Sequence, residues 1–213
     1  MVSAVALGAM VLSMPAMALA NVPEDEIGSA ATIYQTYVED GATGQISFQT
    51  NVAGESPEIE RYLDQTVDLA TRLVPFSYDV SLTYIPHQNP TSASVSFRNR
   101  EYNDQNSEVM AIVRDVVRKA KETGKNDYEL LQYFNRYLVG VCERYFRSYT
   151  AYGCLVDGKA VCEGYTNAML LLCEEAKIPC IKVIGKANGG NHIWNAVNLD
   201  DKWWMLDVTF NDP

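Results

Sequence analysis

The chain has 213 residues, 47% of them hydrophobic and 21% charged, a balance that supports a folded core and excludes disorder along the whole length. Against 17 basic residues stand 27 acidic ones, giving a net charge of −10. The longest basic cluster is Arg118-Lys119-Ala120-Lys121, so no nucleic-acid partner is expected.

Residues 1–20 carry no charged side chain and include the apolar stretch Ala4–Met14. They end in the small-x-small pattern Ala18-Leu19-Ala20, before the polar Asn21-Val22-Pro23-Glu24. Although a basic start is missing, the pattern resembles a cleaved signal peptide. It predicts a secreted or cell-surface protein that leaves the membrane after cleavage. Residues 21–106 are expected to form a small mixed α/β N-terminal region to which no motif assigns a role. Polar and apolar residues alternate over Gln45–Gln49, Ser77–Ile85 and Ser92–Phe97, as in half-buried strands. Ser56-Pro57-Glu58 is a helix start, followed at helical spacing by Ile59, Leu63, Val67 and Ala70. His87 falls in the turn Pro86–Pro90 and is read as an exposed turn residue.

From residue 107 the pattern changes. Val109, Ile112, Val113, Val116 and Val117 share a helical face that ends near Thr123-Gly124, and Asp127, Leu130, Leu131, Phe134 and Leu138 mark a second helix. A loop rich in Tyr and Gly is expected over Glu143–Gly158. After it come a helix over Cys162–Ala176 and strands over Ile181–Ala187, His192–Leu199 and Trp203–Phe210. Helices followed by consecutive strands predict an α+β domain over 107–213, with helices packed on an antiparallel sheet.

The cysteines are Cys142, Cys154, Cys162, Cys173 and Cys180. An odd number in an exported chain implies a free thiol or a bond between chains. Cys142–Cys154 and Cys173–Cys180 are pairings the sequence allows, while core packing is the simpler reading of Cys173 and Cys180. There is no Cys-x-x-Cys, the only histidines are His87 and His192, and no run resembles an EF-hand loop. Neither a metal nor a cofactor is expected.

Cys162 sits where the third helix begins, in Gly158-Lys159-Ala160-Val161-Cys162-Glu163-Gly164-Tyr165. Unpaired N–H groups at a helix start favour thiolate over thiol and can also serve an oxyanion. His192 opens its strand after the turn-forming Asn188-Gly189-Gly190-Asn191. Asp207 is the acid within the apolar run Trp203-Trp204-Met205-Leu206-Asp207-Val208 and needs a partner there. A two-residue hairpin loop of Leu199-Asp200 pairs His192 directly with Asp207, and a loop of Asp200-Asp201 sets them one diagonal step apart. In either register both side chains share a face. The expected triad has Cys162 as nucleophile, His192 as proton carrier and Asp207 as the group that orients it.

Three blocks of sequence resemble the transglutaminase-like superfamily, and its secreted bacterial members in particular. They are Ala160-Val161-Cys162-Glu163-Gly164-Tyr165, His192-Ile193-Trp194-Asn195 and Trp203-Trp204-Met205-Leu206-Asp207-Val208-Thr209, with Lys177-Ile178-Pro179-Cys180-Ile181 between. The resemblance implies a papain-like α+β catalytic domain and a thioester mechanism on amide bonds. Peptidase or amidase action on extracellular or cell-wall peptides is the favoured reading. Protein crosslinking by glutamine γ-glutamyl transfer, or a non-catalytic peptide-binding module, is the alternative. Tyr149 and Tyr152 become oxyanion or groove candidates by the same resemblance, while Trp194 and Trp203 are read as core or groove wall. Two departures accompany it: Cys154 stands where a small residue is expected, which would put a second thiol near the site, and similar proteins continue with more sheet after the Asp motif, so truncation on the C-terminal side is expected.

Overall fold

The computed structural model describes residues 44–50, 52–72, 78–88, 91–99 and 103–212. The expected leader over 1–20 lies outside the described residues. Two compact units divide the rest, one ending at Asn99 and the other holding the elements from Asn103 onward.

The first unit contains β1 (Gly44–Thr50), α1 (Ile59–Thr71), β2 (Tyr78–Tyr84) and β3 (Thr91–Asn99). Its strands form an antiparallel sheet in the order β1-β3-β2. α1 buries Ile59, Tyr62, Leu63 and Thr66, a single helical face, and β3 buries Ala93 and Val95. His87 takes a left-handed backbone (φ 67°) in the β2–β3 connection, where its exposed ring pairs with Glu55.

The second unit opens with α2 (Asn103–Thr123) and α3 (Asp127–Val141). Asn126 Oδ1 accepts from the Glu129 amide at 3.0 Å, and Glu129 accepts in return from the Lys125 amide at 2.7 Å, so the start of α3 is closed from both sides. The stretch expected to be loop contains β4 (Glu143–Arg144), α4 (Ala151–Leu155) and, just after it, β5 (Lys159–Ala160). β4 and β5 pair in parallel, and Thr150 caps α4 through the Gly153 amide at 3.0 Å. Elements this short carry too few residues for a periodic pattern, which is why composition alone reads as loop.

α5 (Cys162–Ala176) is the centre of the unit. Every residue from Gly164 to Cys173 is buried, and the helix packs against α2, α3, α4, β6 (Cys180–Ala187) and β7 (Gly190–Leu199). A helix apolar on all sides can be stable only when covered on all sides. It ends at Lys177, left-handed at φ 69°, where the Ile178 amide returns to the Cys173 carbonyl at 2.9 Å and turns the chain into β6. β6, β7 and β8 (Lys202–Leu206) form an antiparallel sheet in that order. Helices packed on an antiparallel sheet are the α+β arrangement the element order predicts.

The strand expected to run to Phe210 stops at Leu206. Asp207 instead caps a short helix, α6 (Val208–Asn211), with its Oδ1 accepting from the Phe210 amide at 3.2 Å. The local capping bond outcompetes the strand even though β7 continues, with Trp194 and Ile193 opposite Asp207 and Val208.

The loop before α5 crosses close over its first turn. A Cβ on Gly164 would stand 2.6 Å from Ala160 Cβ and 2.8 Å from the Thr150 carbonyl oxygen, whereas one on Gly140 in α3 would meet nothing within 4 Å. Gly164→Ala should therefore destabilise the fold by about 1–3 kcal/mol. Gly140→Ala should stabilise it by about 0.5–1 kcal/mol by restricting the unfolded chain. Urea denaturation of the two variants checks both signs.

Candidate active site

The β7–β8 turn is Asp200-Asp201, with Leu199 paired to Lys202 and Asn195 to Leu206. Both turn residues have positive φ, 52° and 59°, as a type I′ turn requires. Of the two registers open from sequence, the structure takes the diagonal one. His192, Trp194 and Ala196 then share a face with Trp203 and Met205, while Ile193, Asn195 and Val197 point to the other. Asp207, one residue past β8, falls on the His192 face. His192 Nε2 and Asp207 Oδ2 are 2.7 Å apart, with both side chains largely covered. The diagonal gap is wider than a direct pair, and the reach of the imidazole together with the bend at Asp207 closes it.

Aromatic rings enclose the imidazole. Trp194 stacks on it with centroids 5.6 Å apart, and Phe210 tilts against it at 4.7 Å. Trp194 donates its indole N–H to Met205 Sδ at 3.2 Å and lies across Gly185, where an added Cβ would be 2.7 Å from the ring. Trp194, read from sequence as core or groove wall, thus flanks His192. The sequence reading did not single out Phe210. Its signal is the three-residue spacing from Asp207, which fits a cap bonded to the third helical amide.

Two hydrogen bonds join α5 to the His192 strand. Thr166, one turn along from Cys162 on the same helical face, donates to the Ile193 carbonyl at 3.1 Å, and Asn195 Nδ2 donates to the Thr166 carbonyl at 3.2 Å. The Cys162 end of α5 therefore runs beside the His192 end of β7. The Cys162 thiol itself is partly exposed, and no hydrogen bond joins it to His192 in this structure. Val161, the cap residue of α5, supplies no side-chain acceptor, whereas α3, α4 and α6 are capped by Asn126, Thr150 and Asp207. Beyond that cap the Gly164 amide bonds the Val161 carbonyl at 3.0 Å, and the Cys162 amide meets no side-chain acceptor from the cap residue.

The tyrosines lie apart from one another. Tyr149 is exposed, and its carbonyl accepts from Asn167 Nδ2 at 3.2 Å, which ties the loop to α5. Asn167 in turn accepts from the buried Lys182 at 3.1 Å. Tyr152 turns to α2, where desolvation and then the Glu108 carboxylate push its phenol above the usual range. The thiol expected near the site, Cys154, is fully buried against Cys142. Among the described residues no cluster of three His, Cys, Asp or Glu side chains is placed to hold a metal ion. A cavity of about 640 Å³ opens between α3 and the β7–β8 hairpin, lined by Leu131, Asn135, Arg136, Leu199, Trp204 and Leu206. None of Cys162, His192 and Asp207 lines it.

The sequence profile of the transglutaminase-like superfamily matches residues 104–208, a span that takes in Cys162, His192 and Asp207. This segment belongs to the transglutaminase-like superfamily. No curated protein matches the chain. Among solved structures it is similar to a TGase, at a TM-score of 0.47 and 12% identity over 78% of this chain and 50% of that one. It is also similar to a candidate cysteine protease from Cytophaga hutchinsonii, at 0.43 and 12% over 79% and 72%. A third is the periplasmic domain of TgpA from Pseudomonas aeruginosa, at 0.41 and 14% over 59% and 56%. The chain thus spans half the length of that TGase. No helix among the described residues is long and apolar enough to cross a membrane.

In the transglutaminase-like unit Asp207 both caps α6 and holds His192, and the two tasks can be separated. Asp207→Asn keeps a good capping residue and should stay within about 0.5 kcal/mol of the parent, while Asp207→Ala should lose about 1 kcal/mol. Urea unfolding of the pair measures the cap independently of chemistry.

Proposed function

We propose that this protein is an exported cysteine peptidase or amidase that cleaves extracellular or cell-wall peptides through a thioester on Cys162. The observation that carries the reading is the 2.7 Å bond from His192 to Asp207 beside the uncapped start of the Cys162 helix. With Nε2 engaged by Asp207, the imidazole has Nδ1 left to exchange a proton with Cys162.

In this mechanism His192 Nδ1 takes the Cys162 proton and Sγ attacks the substrate carbonyl carbon. Charge then forms on the carbonyl oxygen, where the Cys162 amide and one further donor stabilise it. As the C–N bond breaks, Nδ1–H passes its proton to the departing amine, leaving a thioester. Water gives a proton to Nδ1 as its oxygen attacks the thioester, and the acid and the free thiol are released. Asp207 keeps the ring oriented throughout and offsets the imidazolium charge. An amine in place of water would turn the same intermediate to crosslinking.

Cys162→Ala and His192→Ala should each reduce peptide release by about three orders of magnitude or more. Asp207→Asn, despite its intact fold, should lose about two orders or more because its amide cannot hold the same tautomer. Iodoacetamide labelling of Cys162 at pH 6 should slow at least about tenfold in His192→Ala. An unchanged labelling rate in that variant would sink the nucleophile–base pairing. Incorporation of a labelled amine into casein, outpacing peptide release, would favour the transferase reading.

A further inference from the structure

The cysteines other than Cys162 are all buried, with Cys142 2%, Cys154 0%, Cys173 0% and Cys180 1% exposed. The fold sets them in two adjacent couples. Cys142 ends α3 at the point where the Glu143 amide bonds the Gly158 carbonyl at 2.8 Å. The chain that leaves Cys154 and turns at Gly158 thereby comes back against the end of α3, where the Gly158 Cβ position is 3.0 Å from the Val141 carbonyl oxygen. Inside this closure Cys142 and Cys154 stand as buried free thiols, near enough for each to shift the other's acidity.

The second couple follows from the course of α5 over the sheet. Lys182, Cys180 and their β7 partners Asn195 and Val197 lie on the face towards α5, as the Lys182–Asn167 and Asn195–Thr166 bonds show. Moving from Lys182 to Cys180 along β6 parallels moving from Asn167 towards the end of α5. The reversal at Lys177, closed by the Ile178 amide on the Cys173 carbonyl at 2.9 Å, then brings Cys180 back towards Cys173, both of them buried free thiols in this structure.

We propose that the mature chain carries two disulfides, Cys142–Cys154 and Cys173–Cys180, and that Cys162 is its one free thiol. This accounts for the odd number of cysteines: two couples in the core and one thiol at the helix start. The oxidant is a disulfide-bearing thiol carrier. The Cys142 thiolate attacks it to form a mixed disulfide and expel one thiolate. Cys154 then displaces the second, so that each protein bond formed reduces one carrier disulfide to two thiols. Cys173 and Cys180 follow the same stoichiometry. Burial pushes the Cys154 and Cys173 thiols well up, while the contact with Cys154 holds Cys142 below the usual thiol range. Buried protonated thiols react slowly, so the bonds are formed while the unit folds. The first bond staples the two ends of the segment 142–154, whose Ser148 carbonyl accepts from the Val161 amide at 2.7 Å just before Cys162.

The inference rests on the proposed function in two respects, export to an oxidising compartment and an unpaired Cys162. The full-length chain would be reduced, unfolded, refolded in mixed oxidised and reduced glutathione, unfolded again, and treated with N-ethylmaleimide before tryptic mass mapping. Arg144 and Arg147 separate the first couple and Lys177 the second; Cys162 and Cys173 share the peptide 160–177, so its fragmentation locates the maleimide and the bond. One maleimide per chain is expected on Cys162, none in Cys162→Ala, and linked peptides only for the two named couples. Several maleimides on the refolded chain, a bond joining the couples crosswise, or one involving Cys162 overturns the inference. As a second measurement, dithiothreitol should lower the melting temperature of the oxidised chain and leave that of the Cys142→Ser, Cys154→Ser, Cys173→Ser, Cys180→Ser variant unmoved. Identical melting of oxidised and reduced parent chain would count against the bonds. These readouts are mass and melting, so loss of peptidase activity with pairing intact would fault the mechanism alone.

Discussion

The register of the β7–β8 hairpin is the constraint on which the site depends. Side chains alternate along a strand, so a slip by one residue would send His192 to the face that packs on α5 and leave Asp207 without its partner. Asp200 and Asp201 hold the register by accepting left-handed backbone at both positions of the turn, a conformation more natural to Asn-Gly. Asp tolerates it better than most side chains because its short carboxylate can bond locally. The turn lies at the far end of the hairpin from the imidazole, yet it decides what the imidazole meets.

α5 transmits that constraint to the thiol. A helix buried over ten consecutive residues has no solvent face along which to slide, and Thr166 and Asn195 fix its height against β7. At the other end of the site α6 is anchored on three sides. Arg144 donates to the Thr209 and Asp212 carbonyls, Asn211 bonds Asn135 at 2.9 Å, and the Tyr165 hydroxyl lies 2.7 Å from the Asp212 carboxylate. Thus the cap that carries Asp207 is braced by β4, α3 and α5, elements distant from it in sequence.

Much of this is legible in the residues. The start of α5 at Cys162 and the shared face of His192 and Asp207 follow from helix periodicity and strand parity, which depend on neighbours a few positions away. The choice between two hairpin registers does not, because Leu199-Asp200 and Asp200-Asp201 are both acceptable turns until strand packing selects one. The end of β8 is hidden for a related reason. Val208 and Phe210 extend the apolar run Trp203–Leu206, and only the bond from the Phe210 amide to the Asp207 side chain reveals a helix there. The short elements between Glu143 and Ala160 are tertiary in origin, since β4 and β5 exist only by meeting each other.

The bare cap at Val161 sets a limit on how this unit can be made sturdier. Placing Ser, Thr or Asp at the head of a long central helix is among the simplest ways to harden a fold, and it is the device used on α3, α4 and α6. At residue 161 the same improvement would set an acceptor from the chain itself at the Cys162 end of α5, and on the proposed mechanism a permanent internal ligand would stand where a transient one belongs. On that mechanism robustness and turnover are opposed at a single side chain.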